Sequence, residues 1–243
     1  MDKEPTPLAI ALDRIDRARR RFIWSVLALV VGTGTGWALS GQLYELLASP
    51  LTTALVVRGL DERLVFTRLT DPFVLYFTVA LITGIILATP VLMAQLWLVA
   101  TPLIGRWRAL SVILFSLTAM LLFTAGLTFC HMILLPFAVG YLLDMGDAFA
   151  HAITVRDYLK FAVRLLLAMG LAAQLPLASF TAARLRLVSA RLLWKWFPYT
   201  VLVIFVVAAW VTPPDGMSQL LVAVPLLILY VIGIGVAAVA RPR

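Results

Sequence analysis

Two apolar runs meet at a Thr-Pro-Pro-Asp-Gly corner, residues 212–216, and no other stretch constrains the chain as tightly. Proline has no backbone N–H to donate and glycine breaks helices, so the corner is predicted to be a turn. The run before it, 199–211, is only 13 residues long. As a helix it reaches about 20 Å, against roughly 30 Å of bilayer hydrocarbon. Any fold for this chain has to accommodate a short spanning helix that stops at a rigid corner.

Composition sets the class. Hydrophobic residues make up 63% and charged residues 13%, with a mean hydropathy of +1.01. Those values belong to an all-α polytopic membrane protein. The 243 residues hold about six spans as one membrane domain, expected at 22–39, 72–97, 109–135, 157–180, 197–211 and 216–240. A basic cytoplasmic segment, 1–21, precedes this 22–240 domain and a tail, 241–243, follows it. No secretory signal with a small-residue cleavage site and no internal repeat is evident.

The spans have internal punctuation. GTGTG at 32–36 permits close backbone approach to a neighbouring helix. The connection 40–71 begins with QLYELLASPL, which reads as a short amphipathic helix stopped by Pro50, within a loop able to pack as a lid over the outer face. Pro90 is expected to kink the second span, and Pro136 to end the third. In the fourth, Lys160 and Arg164 share one helical face, and Gln174 lies about 15 Å deeper.

The net charge of +8 would suggest nucleic acid for a soluble protein, but here it reflects topology, so no nucleic-acid partner is expected. With the N-terminus inside, 14 of the 20 Lys and Arg fall on the cytoplasmic side and eight of the 12 acids outside. That bias makes both ends cytoplasmic. The five arginines at 14, 17, 19, 20 and 21 also suit contact with anionic lipid.

No catalytic constellation is present: there is no GxSxG, phosphate loop or HExxH, so the chain is read as a non-enzyme. Cys130 is the only cysteine, and His131 and His151 lack partners at ligand spacing, so neither a metal nor another cofactor is expected. A proton-coupled small-molecule permease needs an acid or histidine relay, and no span carries a mid-membrane carboxylate. Lys160 and Arg164 either snorkel to the outer headgroups or form a polar inward face. Gln174 either bonds to a neighbouring helix or lines a groove for a partner's polar group.

At this point the sequence resembles the TatC family, the multispanning receptor subunit of the twin-arginine protein translocase. The resemblance rests on PYTVLVIFVVAAWVTPPDGMSQLLVAVP, with Thr212, Pro213, Pro214, Asp215 and Gln219. A second match, DPFVLYFTVALITGIILATPVLMAQLWLVATPLI, carries Pro72, Pro90, Gln95, Trp97 and Pro102 at family spacing. LLPFAVGYLL around Pro136 and MGLAAQLPL, with Gln174 and Pro176, extend it over nearly the whole chain. It implies a glove-shaped bundle in the bacterial cytoplasmic (inner) membrane, without an enzymatic centre. It further implies binding of twin-arginine signal peptides of folded cargo on the cytoplasmic face, and docking of TatA- and TatB-type single-span subunits. A homo-oligomer is compatible with it.

Residue by residue, the resemblance carries over unevenly. The family's recognition site has a glutamate in an N-terminal HLxELRxRL motif and another in the first cytoplasmic loop, where carboxylates suit a paired-arginine ligand. Here the motif has become ALDRIDRARRRF, with Asp16 the nearest carboxylate, Asp13 behind it, and Arg17 alongside. The loop glutamate aligns with Arg108, and Val99 replaces the aromatic before Pro102. The fourth-span glutamate becomes Gln174. Asp13, Asp16, Arg17, Trp97, Val99, Pro102 and Arg108 are therefore the expected signal-peptide set, and Gln174, Pro176 and residues 212–215 and 219 the partner-docking or structural set. Arg106 and Arg108 are expected to repel paired arginines. The alternatives are a TatC-derived scaffold without ordinary signal-peptide recognition, or a small-molecule permease.

Overall fold

The computed structural model describes residues 7–60, 68–104, 109–146, 153–212 and 215–240. Among them lie ten α-helices and one π-helical turn: α1 (Pro7–Ala38), α2 (Ser40–Val57), α3 (Asp71–Ile104), α4 (Ala109–Phe129), the π turn (Cys130–Leu134), α5 (Leu135–Met145), α6 (Val155–Ala172), α7 (Leu175–Arg184), α8 (Ala190–Lys195), α9 (Phe197–Val211) and α10 (Gly216–Ala240). The class is all-α, as expected. Four stretches are long and apolar enough to cross a membrane: Asp71–Gln95, Ile113–Met145, Val155–Arg184 and Gly216–Ala240. The pair Arg19–Ala38 and Ser40–Val57 bends by 79°, and α9 is a shorter apolar helix.

α1 and α3 pack antiparallel through small residues. A Cβ on Gly32 would come 2.9 Å from the Gly84 carbonyl oxygen, and one on Gly36 2.7 Å from that of Ala80. Farther along, Trp37 meets Phe73 edge-on at 5.8 Å. The expectation for GTGTG thus holds for two of its glycines, while Gly34 faces open space.

The connection after α1 departs from expectation. Pro50 does not stop the helix but lies buried inside α2. It removes the N–H that would bond to the Leu46 carbonyl, and the Ser49 hydroxyl takes that acceptor at 2.7 Å. The segment also contributes to the core. Leu47, Ala48, Leu51 and Leu55 are core residues, and the Tyr158 hydroxyl donates to the Leu47 carbonyl at 2.7 Å. Arg58, just past α2, ties it to α5 through Asp144 and the Gly140 carbonyl.

Pro136 likewise does not end the third span. The ladder widens first, with the Leu135 N–H bonding to the Cys130 carbonyl, and the wider turn admits the proline ring that a regular α-turn would exclude. The helix then runs on to Met145. The fourth span is interrupted at Ala173 and Gln174, between α6 and α7.

The core is arranged around α6. Val155, Tyr158, Leu159, Ala162, Leu165, Leu166 and Met169 are buried, a helical spacing that gives α6 an inward face. At its crossing with α4, a Cβ on Gly126 would come 2.7 Å from the Met169 carbonyl oxygen. α9, with 15 residues, is about 22 Å long and buries Ile204, Ala208 and Val211 against the bundle.

Candidate functional site: the α9–α10 corner and the α1–α3 end

The corner is built by side chains that satisfy helix ends. Thr212 caps α9, and its hydroxyl donates to the Ala208 carbonyl at 2.8 Å. Pro213 and Pro214 lie outside the described residues. Asp215 Oδ2 accepts the Ser218 N–H at 2.8 Å, which neutralises one of the orphan donors at the start of α10. Gln219 Nε2 donates to the Phe205 carbonyl at 2.8 Å and joins the two helices laterally. Two polar atoms there, Asp215 Oδ1 and Ser218 Oγ, are buried without a hydrogen-bond partner.

Thr212, Asp215 and Gln219 therefore form one cluster, but Gln174 and Pro176 do not join it. Leu175, next to Gln174, lies against Gly233, about 25 Å along α10 from Gly216. Gln174 Nε2 donates to the Ala119 carbonyl of α4 at 2.9 Å, while its Oε1 is buried and unpaired. Pro176 is buried in the first turn of α7.

Of the two charges within the fourth span, Arg164 lies 5.5 Å over the Trp210 ring of α9. Lys160 is exposed. Sequence reasoning missed Trp210, since nothing in the two apolar patterns links residues so far apart in the chain. It also placed Asp71 in an outer loop. Asp71 is 4% exposed: it accepts the Arg68 N–H at 2.9 Å and approaches Arg156 at 4.0 Å. The Asp71–Pro72 pair at the start of an apolar run was the available signal for a helix start there.

Among the expected signal-peptide set, Asp13, Asp16 and Arg17 lie in α1 and Trp97, Val99 and Pro102 in α3. Asp16 is exposed. Arg108 lies outside the described residues. Position 16 precedes Gly32 by sixteen residues, and position 100 follows Gly84 by sixteen. Carried along both helices, the Gly32–Gly84 register brings the 13–17 and 97–104 stretches to the same end of the α1–α3 pair.

Residues 13–225 match the family model described as TatC, Sec-independent protein translocase protein. A TatC of Koribacter versatilis is 32% identical over 96% of this chain and 86% of its own length. A TatC of Carboxydothermus hydrogenoformans is 32% identical over 99% and 97%. The crystal structure of the twin-arginine translocase receptor TatC superposes with a TM-score of 0.82 at 27% identity, covering 93% of this chain and 98% of that one. The chain belongs to the TatC family, membrane components of Sec-independent protein translocases and not enzymes.

Proposed function

We propose that this protein is the receptor subunit of a twin-arginine translocase in the bacterial cytoplasmic membrane. In this reading it spans the membrane six times with both ends cytoplasmic. The α1–α2 bend and the short α9 supply the two spans beyond the four long ones. It binds twin-arginine signal peptides of folded cargo at the shared end of α1 and α3, and docks TatA- and TatB-type single-span subunits beside the α9–α10 corner. The observation that carries the reading is the α1–α3 register. It supports one surface made from two stretches that lie some eighty residues apart in sequence. Asp16, exposed there, supplies a carboxylate suited to a guanidinium. The basic 14–21 segment holds anionic lipid beside it.

The charge reversal at Arg108 favours a second reading, a scaffold that docks partner subunits but no twin-arginine signal. The two part in one experiment. A twin-arginine precursor carrying a photo-crosslinker in its signal peptide is added to inverted membranes containing the protein. Crosslinks to the 13–17 or 97–108 stretch are expected. Partner subunits that co-purify while those crosslinks are missing would establish the scaffold reading instead.

A further inference from the structure

The rim of α6 beside α3 carries Arg156, Lys160 and Arg164, one cation every fourth residue. With Asp71, Val74, Leu75 and Thr78 of α3, and Leu159 and Val163 of α6, they line an open cavity of about 210 Å³. Each successive pair is a like-charge i, i+4 pair. The row also begins in the first turn of α6, where the helix's positive end adds to the repulsion. The cavity's single carboxylate, Asp71, lies 4.0 Å from Arg156 and also accepts the Arg68 N–H. Among the described residues, Lys160 and Arg164 have no acid partner. Arg164 lies over Trp210, and the Nε of Arg156 is buried without a hydrogen-bond partner. Asp157, in the same first turn of α6, is exposed and outside the cavity lining. Within the cavity three cations therefore face one acid, an arrangement that is costly without an anion to cover it.

We infer that this cavity binds the phosphate of an anionic phospholipid. The phosphodiester accepts from Arg156 and Lys160, a charge-assisted arrangement that arginine favours. The row extends about 12 Å down the helix, so the glycerol ester carbonyls reach the level of Arg164. Val74, Leu75 and Val163 give the acyl chain an apolar wall. A carboxylate on a passing helix would supply acceptors at one level only, whereas a lipid supplies them over the whole row. This site is separate from the basic N-terminal segment and does not depend on cargo recognition.

The test is native mass spectrometry of the intact protein in detergent, with phosphatidylglycerol or phosphatidylcholine added at equal concentration. Wild type is expected to retain phosphatidylglycerol preferentially. K160Q/R164Q should cut that preference about tenfold or more, while K160R/R164K and the remote R184Q should keep it. Equal retention of the two lipids by wild type, which needs no variant, would overturn the assignment. So would loss of the preference in K160R/R164K, or an unchanged preference in K160Q/R164Q. Displacement by excess inorganic phosphate would make it a free-phosphate site. Exclusion of lipid by a partner peptide whose carboxylate crosslinks to Lys160 would make it a protein contact.

Discussion

Gln174 and Ala119 are joined by a hydrogen bond in which an amide N–H, and no carboxylate, meets a backbone carbonyl at 2.9 Å. The family's glutamate at this position would put two acceptors face to face unless it were protonated. Q174E is therefore expected to destabilise the protein by about 1–3 kcal/mol, and Q174A by less. Thermal unfolding of the purified variants in one detergent checks the order, and a stabilised Q174E would contradict the bond's direction.

The α1–α3 crossing leaves no room for a methyl group at Gly84. A Cβ there would collide with the Thr33 hydroxyl and come 2.8 Å from the Thr33 backbone nitrogen. G84A should cost about 1–3 kcal/mol, whereas G34A, facing open space, should be neutral or slightly stabilising. Protease resistance of the two variants in membranes would rank them.

Ser49 covers the acceptor that Pro50 leaves bare. S49A should remove an exposed hydrogen bond to the Leu46 carbonyl, a loss of about 0.5–1 kcal/mol. In S49A/P50A the restored backbone bond should recover most of that loss. Unfolding midpoints of the single and double variants provide the measurement.

Arg108 is the charge most at odds with paired-arginine recognition. R108E should raise crosslinking of a twin-arginine precursor several-fold, because the change replaces a repulsive guanidinium by a bidentate acceptor. A lysine-pair precursor, lacking the planar fork, should gain less. No gain for either precursor would remove charge as the reason for altered recognition.

How much of this was legible beforehand differs by element. The helical class followed from uninterrupted apolar runs, and the α9–α10 corner from proline and glycine chemistry. The prolines misled elsewhere, at Pro50 and Pro136, because their cost was judged from the backbone alone. A neighbouring hydroxyl and a widened turn offset it, and both are local three-dimensional remedies. Gln174 shares an expected docking or structural role with the corner but comes from a separate stretch, MGLAAQLPL, and the structure sets it near Gly233, at the far part of α10. The Arg164–Trp210 stack and the buried Asp71 depend on contacts between helices distant in sequence. Hydrophobic periodicity records which face is buried, but not what it is buried against.

The bond from Tyr158 to Leu47 has a consequence for how the protein is made. α2 turns sharply from α1, and its inward face is completed by a residue synthesised 111 positions later. At about 5–20 residues per second, that delay is roughly 6 to 22 s. In that interval α3 and α5 reach α2 first, through Tyr76 beside Tyr44 and Asp144 on Arg58, but the Leu47 carbonyl still lacks its Tyr158 donor. The α2 core face is therefore closed in stages, and its last hydrogen bond waits for α6.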